Sequence, residues 1–275
     1  MRIAYLGDIV GNPGRLAVAQ QVPVIRERFS PDLIIANAEN TADGSGLTPT
    51  LYDKLKAAGL DAMTLGDHVF RKRQITATLE RSADLIRPLN LSAKAQGRGW
   101  MKVVAPPVGG KAPAEVFVTL VLGRLFMSTA ADDPFAAVDR LLAELPRRDP
   151  VVLVEAHMEA TSEKQALAWH LDGRVAAVLG SHTHCPTADA RVLPGGTATI
   201  TDLGMTGPYR SILGRQVEPV VAQMTTQMPH PFDVAGNTDD VRVCGVILDI
   251  DDRTRRATAI ERLDLPADPA RAPFV

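Results

Sequence analysis

The chain has 275 residues, 45% of them hydrophobic, which is enough to bury a substantial core in one large α/β domain or two smaller ones. Its 30 basic and 32 acidic residues are interspersed and leave a formal charge of -2, so nucleic acid is not an expected partner. No apolar run approaches the roughly 18 residues of a membrane span, which argues against membrane insertion.

Cysteine usage and the amino terminus both favour a reducing compartment. The two cysteines are too few for a disulfide framework. The amino-terminal run meets Asp8 before it reaches the length of a signal peptide. We therefore expect a cytoplasmic protein, and a homo-oligomer is compatible with the sequence.

In the first 70 residues, short aliphatic runs alternate with helical patterns. Strands are predicted at residues 2–6, 32–36 and 62–65, and helices at about 15–28 and 48–58. Pro13 and Gly14 punctuate the start of the first helix, and Thr48-Pro49 is a good capping pair for the second. Strand and helix in this order predict a βαβ architecture, and therefore an α/β fold.

The middle of the chain carries no catalytic signal between about residues 90 and 150. Strands are predicted at 101–105 and 115–122 around a cluster of Pro and Gly, followed by a helix at 134–145. Strands at 151–155 and 175–179 then flank a helix that ends near Leu171, and a last strand at 243–250 reaches an acidic turn. Because no repeat or low-complexity linker divides the chain, we predict a single domain over residues 1–275.

Side chains with metal-binding chemistry follow the predicted strand ends. Such ends can converge on one crevice, the usual ligand site of open α/β sheets, and carboxylate, amide and imidazole groups together suit a pair of divalent metals. The candidate ligands are Asp8, Glu39, Asn40, Asp67, His157, His182 and His184, with His68 beside them.

Each of these signals has a simpler alternative when it is taken alone. An aspartate such as Asp8 after a first strand is more often a helix cap or a turn residue than a ligand. Glu39 and Asn40 could merely cap a loop. Residues two apart on an extended segment point the same way, so His182 and His184 are expected to face one site; the simpler and less favoured alternative is a solvent-facing pair on a strand end.

The motifs in their order resemble the calcineurin-like metallophosphoesterases, and more narrowly the bacterial YmdB family of metal-dependent phosphodiesterases. The resemblance spans nearly the whole chain and includes Gly7-Asp8, Asn37-Ala38-Glu39-Asn40, Gly66-Asp67-His68, Ala156-His157, Gly180-Ser181-His182-Thr183-His184 and the segment from Asp202 to Tyr209. It implies a four-layer αββα sandwich and a binuclear centre often holding iron or manganese. It also implies hydrolysis of cyclic nucleotides, including 2′,3′-cyclic and 3′,5′-cyclic AMP.

The resemblance also assigns roles to residues. Asp8, Asn40 and His184 would hold one metal and Asp67, His157 and His182 the other, with Glu39 bridging the two. Hydroxide formed from bound water would be the nucleophile. His68 would protonate the leaving alkoxide or stabilise charge on the phosphoryl oxygens, and Tyr209 would contact the nucleotide.

One position departs from the family pattern, which usually has Asn where this chain has Asp67. The added carboxylate is expected to bind metal more firmly but to leave a less electrophilic centre, because ligand charge partly cancels the charge of the cation. A weakly active or non-catalytic phosphate-binding regulator therefore remains an alternative, beside a phosphomonoesterase or a nuclease. Residues 161–164 resemble a capping arrangement that opens a helix.

Overall fold

The computed structural model describes residues 1–105, 113–145, 150–236, 239–268 and 271. The strands in chain order are β1 (Arg2–Leu6), β2 (Asp8–Ile9), β3 (Leu33–Asn37), β4 (Ala62–Thr64), β5 (Leu85–Ile86), β6 (Trp100–Ala105), β7 (Ala114–Leu122), β8 (Val151–His157), β9 (Ala177–Ser181), β10 (Arg191–Val192), β11 (Ala198–Ile200), β12 (Met205–Pro208), β13 (Val241–Ile250) and β14 (Ala257–Ala267). The helices are α1 (Gly11–Phe29), α2 (Pro49–Ala57), α3 (Thr76–Arg81), α4 (Pro134–Glu144), α5 (Thr161–His170) and α6 (Val217–Thr226), with one 3-10 turn at Arg73–Ile75.

The strands form two sheets. The first has eight strands in the order β2-β12-β13-β1-β3-β4-β5, with β14 beside β13, and its members β1, β3, β4 and β5 run parallel. The second has six strands in the order β10-β11-β9-β8-β7-β6, with β7, β8 and β9 parallel. Parallel neighbours place their carboxyl ends at the same edge of the sheet, which is where ligand sites form in such folds.

Strand β1 shows how the layers are built, because successive residues of a strand face opposite sides. Ile3 and Tyr5 enter a core shared by both sheets. Ala4 and Leu6 enter a core formed with helices α1 and α2. A third core packs helices α4 and α5 on the outer face of the second sheet. The predicted four-layer αββα sandwich is therefore confirmed.

Most predicted elements are present with shifted bounds. Helix α1 begins at Gly11, four residues before the predicted start, because its first turn tolerates Pro13, whose missing N–H would have no helical partner there. Thr48 caps α2 as predicted, since its side chain accepts a hydrogen bond from the Leu51 N–H at 3.3 Å. In α5 the predicted capping arrangement is wrong: Ala160 is the N-cap residue and no side chain caps it.

The predicted pair of central strands forms the antiparallel neighbours β6 and β7, while the Pro- and Gly-rich cluster between them lies outside the described residues. Strand β14 was not predicted. It pairs with β13 along its length, but only Ala257 and Leu263 are buried in it and charged residues such as Glu261 and Arg262 are exposed, so no aliphatic run marks it. No helix of the described ranges is long and apolar enough to cross a bilayer.

Candidate metal centre

The carboxyl ends of both parallel groups of strands meet at one place. In the first sheet, Asp8 follows β1, Glu39 follows β3 and Asp67 follows β4; in the second, His157 is the last residue of β8 and His182 follows β9. Five segments that are distant in sequence thus bring carboxylates and imidazoles to a common edge between the sheets, as the strand-end positions predicted.

Four of these side chains share one centre, and we call them the quartet: Glu39, Asp67, His157 and His182. One ligand atom from each lies within 4.8 Å of all the others. The Nε2 atom of His157 is 3.0 Å from Glu39 Oε1 and 3.1 Å from Asp67 Oδ1. The Nδ1 atom of His182 is 3.1 Å from His157 Nε2 and 3.6 Å from Asp67 Oδ1. The quartet is therefore a compact set of two carboxylates and two imidazoles.

The other three candidate ligands, which we call the trio, are Asp8, Asn40 and His184. They adjoin the quartet: Asn40 Nδ2 lies 3.5 Å from Glu39 Oε1 and 3.2 Å from His184 Nε2. Asp8 Oδ2 accepts a hydrogen bond from the backbone N–H of His182 at 3.3 Å. The Nδ1 of His184 lies 3.1 Å from the carbonyl oxygen of Leu213 and must donate to it, which leaves Nε2 as the free lone pair facing Asn40.

His68 stands beside both groups. Its backbone N–H donates to Glu39 Oε2 at 3.0 Å, its Nδ1 is 2.8 Å from Asn40 Oδ1, and its Nε2 is 3.8 Å from Asp67 Oδ2. The ring is partly exposed and lines an open cleft of about 310 Å³. The structure thus places His68 at the interface between the cluster and the space available to a ligand.

The histidine pair reaches the site by a route that the sequence did not predict. The segment from His182 to His184 is not extended; it follows β9 as a bend, and both histidines have positive φ, 95° and 64°. These are strained conformations for residues other than glycine, and they are frequent at functional sites. Both rings reach the cluster, as expected. The predicted cause, an extended segment that points both side chains the same way, is wrong.

A buried ion pair holds that bend. Lys164 of α5 lies 2.8 Å from Asp202, and both side chains are almost fully buried. The same Asp202 carboxylate accepts hydrogen bonds from the backbone N–H and the hydroxyl of Thr183, at 3.1 and 2.7 Å. Asp202 fixes the residue between the two histidines, and no role had been predicted for it.

A second buried carboxylate lies behind the quartet. Glu155, in the interior of β8, accepts a hydrogen bond from Ser181 Oγ at 2.6 Å, and Ser181 Oγ in turn lies 2.8 Å from His157 Nδ1. Sequence reasoning missed both residues. The available signal for Glu155 was a charged side chain that follows four aliphatic residues within one strand.

Electrostatics in the cluster favour a positive charge at its centre. The pKa of His157 is held well above 6.5, because attraction to Glu39 and hydrogen bonds with Asp67 and Glu39 outweigh the effect of burial. The pKa of Asp67 is lowered because hydrogen bonds with His157 and His182 outweigh its burial. Burial, together with the negative charges of Glu39, Asp202 and Glu155, raises the pKa of Asp8 from 3.8 to about 8.

Three observations fit a metal at this place. Asp8 Oδ1 is buried and has no hydrogen-bond partner among the described residues, which is costly for a carboxylate unless a cation or a proton meets it. Gly66 touches the cluster so closely that an added Cβ would lie 2.5 Å from His157 Nε2 and closer still to Glu39 Oε2. Oxygen and imidazole donors together suit borderline divalent ions.

The cleft in front of the cluster adds two residues that sequence reasoning missed. Glu159 Oε2 lies 3.3 Å from His182 Nε2. The guanidinium of Arg215 donates to the carbonyl oxygens of Gly44 and Asp43, which ties the loop after Asn40 to the rim. The signal for Glu159 was its place two residues after His157; nothing in the sequence marks Arg215.

Tyr209 does not reach this cleft in the described part of the chain. Its hydroxyl lies 3.0 Å from the Met205 carbonyl oxygen and 3.0 Å from Cys244 Sγ, and its ring packs 5.0 Å from the Arg242 guanidinium. Burial raises the pKa of this hydroxyl well above 10. These contacts give Tyr209 a structural role, and its contact with a nucleotide stays a prediction.

The family model described as YmdB-like protein matches residues 4–263. The chain belongs to the YmdB-like family. It is 44% identical over 264 residues to the 2′,3′-cyclic-nucleotide 2′-phosphodiesterase of Bacillus subtilis, with 96% of each chain covered. The resemblance inferred from the ordered motifs is therefore confirmed.

Two solved structures support the same relationship. A hypothetical protein from Thermus thermophilus is 43% identical, with a TM-score of 0.87 over 97% of this chain and 99% of that one. A novel phosphatase from Mycoplasma pneumoniae is 30% identical, with a TM-score of 0.88 over 98% of this chain and 94% of that one. This member of the YmdB-like family thus shares its fold with a phosphatase along almost its whole length.

Proposed function

We propose that this chain is a metal-dependent phosphodiesterase that hydrolyses small phosphodiesters, with cyclic nucleotides such as 2′,3′-cyclic and 3′,5′-cyclic AMP as the substrate class. The observation that carries the proposal is the convergence of four ligand atoms within 4.8 Å in the quartet. The name of the Bacillus subtilis relative supports the substrate class.

The proposal includes two divalent metal ions, iron or manganese. The quartet would hold one ion and the trio the other, with Glu39 shared because it neighbours both groups. When bound, such ions supply charge that binds a phosphate and lower the pKa of a coordinated water. Carboxylate and imidazole ligands in this mixture are typical of manganese and iron sites.

Asn40 would bind a metal through its oxygen, and this requires a local change. In the structure its Nδ2 faces His184 and its Oδ1 faces His68 Nδ1. Turning the amide over exchanges two groups of equal shape. His68 Nδ1 then accepts from the amide, so its proton moves to Nε2. That arrangement presents an N–H to the cleft, from which His68 would protonate the leaving alkoxide.

The cleft favours a small substrate. Its volume of about 310 Å³ is at the lower end of the range for small-molecule sites. The balanced net charge of the chain offers no general attraction to a polyanion. Both cysteines are free, which supports a cytoplasmic location as part of the proposal.

Hydrolysis assays test the proposal. Protein loaded with manganese or with iron is assayed on the two cyclic AMP isomers, on bis-p-nitrophenyl phosphate and on p-nitrophenyl phosphate, and its metal content is measured by mass spectrometry. We expect about two ions per chain and a preference for diesters over the monoester. His68→Ala should retain the metals and lower kcat by about 10²- to 10⁴-fold.

The alternative is a phosphate-binding regulator with little turnover, which the carboxylate of Asp67 in place of the family's amide favours. Equal background rates in the wild type and His68→Ala, with metals bound and phosphate binding retained, would establish this alternative. A preference for p-nitrophenyl phosphate would instead indicate a phosphomonoesterase.

A further inference from the structure

We propose that Glu155, acting through Ser181, is a positioning residue that fixes the ring orientation and proton position of His157 and so strengthens metal binding at the quartet. This inference rests on the proposed function, because it concerns how the same site holds its metal. It assigns a role to the buried carboxylate that the ligand set does not use.

Glu155 is surrounded by hydrogen-bond donors alone. Its Oε2 accepts from the hydroxyls of Tyr5 and Thr64 at 2.7 and 2.5 Å, and its Oε1 accepts from Asn37 Nδ2 and Ser181 Oγ at 2.7 and 2.6 Å. Four donors match the four lone-pair positions of an ionised carboxylate. The group is fully buried, and no Lys or Arg of the described residues pairs with it.

The donor pattern fixes the direction of the next hydrogen bond. Because Ser181 uses its only hydroxyl proton on Glu155, its oxygen must accept from His157 Nδ1, 2.8 Å away. His157 therefore carries a proton on Nδ1 whether or not the ring is charged. Its Nε2 is left to face Glu39 and Asp67 at 3.0 and 3.1 Å, as a metal ligand requires.

Strand geometry explains why these three residues meet. Glu155 and His157 are two apart on β8 and so point to the same face. Ser181 of β9 is the direct cross-strand partner of His157. Glu155 Oε1 also lies 4.0 Å from His157 Nδ1. Its negative charge is therefore close behind the ring and makes the imidazole a more basic metal ligand.

A purely structural role is the competing explanation. Tyr5, Asn37 and Thr64 belong to strands β1, β3 and β4 of the first sheet, whereas Glu155 belongs to the second, so the carboxylate also connects the two sheets. A structural role predicts lower stability without a specific change at His157. The two explanations are separated by measuring metal affinity and the state of the imidazole besides stability.

The experiment uses Glu155→Gln, Ser181→Ala and the double variant of the full chain. Mn²⁺ affinity is measured by competition with a chromophoric chelator. Each single variant should bind Mn²⁺ about 10- to 100-fold more weakly, the usual effect of losing a partner of a metal-binding histidine. Because both substitutions break one chain of hydrogen bonds, the double variant should be little weaker than either single one.

The imidazole is observed directly in Zn²⁺-loaded protein with ¹⁵N-labelled histidine, since Zn²⁺ is diamagnetic. The wild type should show a protected Nδ1 proton on one ring, absent in His157→Ala and lost or shifted in Ser181→Ala. The matched control is Glu163→Gln. Glu163 is also buried, but it accepts from the backbone N–H groups of Arg124 and Leu125 and does not contact the quartet.

Three results would overturn the inference: unchanged Mn²⁺ affinity in both single variants, losses that add in the double variant, or an equal loss in Glu163→Gln. Ser181→Ala leaves three donors on Glu155, so it keeps the test decisive should Glu155→Gln fold poorly. A wild-type protein that binds no Mn²⁺ or Zn²⁺ would contradict the proposed function instead.

Discussion

The quartet and the trio occupy the same edge of the fold but differ in how completely they are formed. In the quartet, His157 Nε2 lies within 3.1 Å of both carboxylates. In the trio, Asp8 Oδ1 has no partner within the described residues, and Asn40 turns its amide nitrogen toward His184. One half of the centre is preorganised, whereas the other half needs a side chain to turn before oxygen can face a cation.

The difference follows from what lies behind each group. His157 is the last residue of a fully buried strand and is held by Ser181 and Glu155. Two members of the trio come from turns, since Asn40 lies in a loop tied by Arg215 and His184 lies in a bend with φ of 64°, whereas Asp8 begins the short strand β2. A strand residue supported from behind, as His157 is at the centre of the quartet, is held more firmly than a loop residue. The quartet should therefore bind its ion more tightly than the trio does.

The largest expected effect is the difference between His157→Ala and His184→Ala. His157→Ala removes the atom at the centre of the quartet and should abolish tight binding there, with activity lowered more than about 100-fold. His184→Ala should keep about one ion per chain, since the quartet is intact. For each variant, metal content after dialysis measures how many ions are retained, and an assay with added Mn²⁺ measures activity. Equal metal content in the two variants would contradict the ranking.

Gly66→Ala disturbs two members of the quartet, Glu39 and His157. The new methyl group would lie 2.5 Å from His157 Nε2 and would also meet Glu39, so it should displace the ligands and weaken binding of the tighter ion. The matched control is Gly236→Ala, because a Cβ at Gly236 would have no heavy atom of the described residues within 4 Å beyond its chain neighbours. Isothermal titration with Mn²⁺ reports the change. Identical titrations for the two variants would show that the quartet tolerates the displacement.

The sequence predicted most of the site because the ligands follow strand ends. Once β1, β3 and β4 are parallel, Asp8, Glu39 and Asp67 must share one edge, and aliphatic runs mark those strands clearly. The roles of these residues as ligands stay predictions. The bend at His182, with its positive φ, was not predictable from a pattern of alternation, since the carboxylate that holds the next residue, Thr183, belongs to Asp202, 19 residues later.

Residues behind the ligands were harder to predict for a different reason. The role of Glu155 depends on hydrogen bonds with Tyr5, Asn37 and Thr64, which are 150, 118 and 91 residues away in sequence. A carboxylate in an aliphatic strand marks a special position but does not identify its partners. For the fold, β14 escaped prediction because its exposed charged face breaks any apolar run.

Asp8→Asn tests how the buried carboxylate of the trio affects stability when no metal is bound. In metal-free protein the pKa of Asp8 is raised from 3.8 to about 8, mainly by burial. The folded state therefore binds more protons than the unfolded state, and this group makes the wild type less stable as the pH rises through that interval. Asp8→Asn removes the effect, so the variant should gain stability relative to the wild type as the pH rises toward 8.

Thermal unfolding in chelator at pH 5, 6.5 and 8 measures the change in Tm. Parallel curves for the two proteins would show that Asp8 does not titrate in this interval. Added Mn²⁺ should reverse the order at pH 8, because metal binding stabilises the wild type through the ionised carboxylate and stabilises Asp8→Asn less.

The smallest expected effect is that of Asp67→Asn, which restores the family's usual residue and preserves the shape of the side chain. Asp67 Oδ1 contacts His157 at 3.1 Å and His182 at 3.6 Å, so the substitution removes one negative charge from the quartet without opening a gap. Mn²⁺ affinity should fall by roughly tenfold. At saturating Mn²⁺, kcat for bis-p-nitrophenyl phosphate should rise a few-fold, because less ligand charge opposes that of the ions. Asp139→Asn, which changes a carboxylate paired with Arg174, is the control and should alter neither quantity.

If affinity falls while kcat is unchanged, the carboxylate of Asp67 serves only to hold the ion. If neither moves, the charge of the quartet does not set the chemistry, and the preference for the quartet over the trio must come from geometry alone.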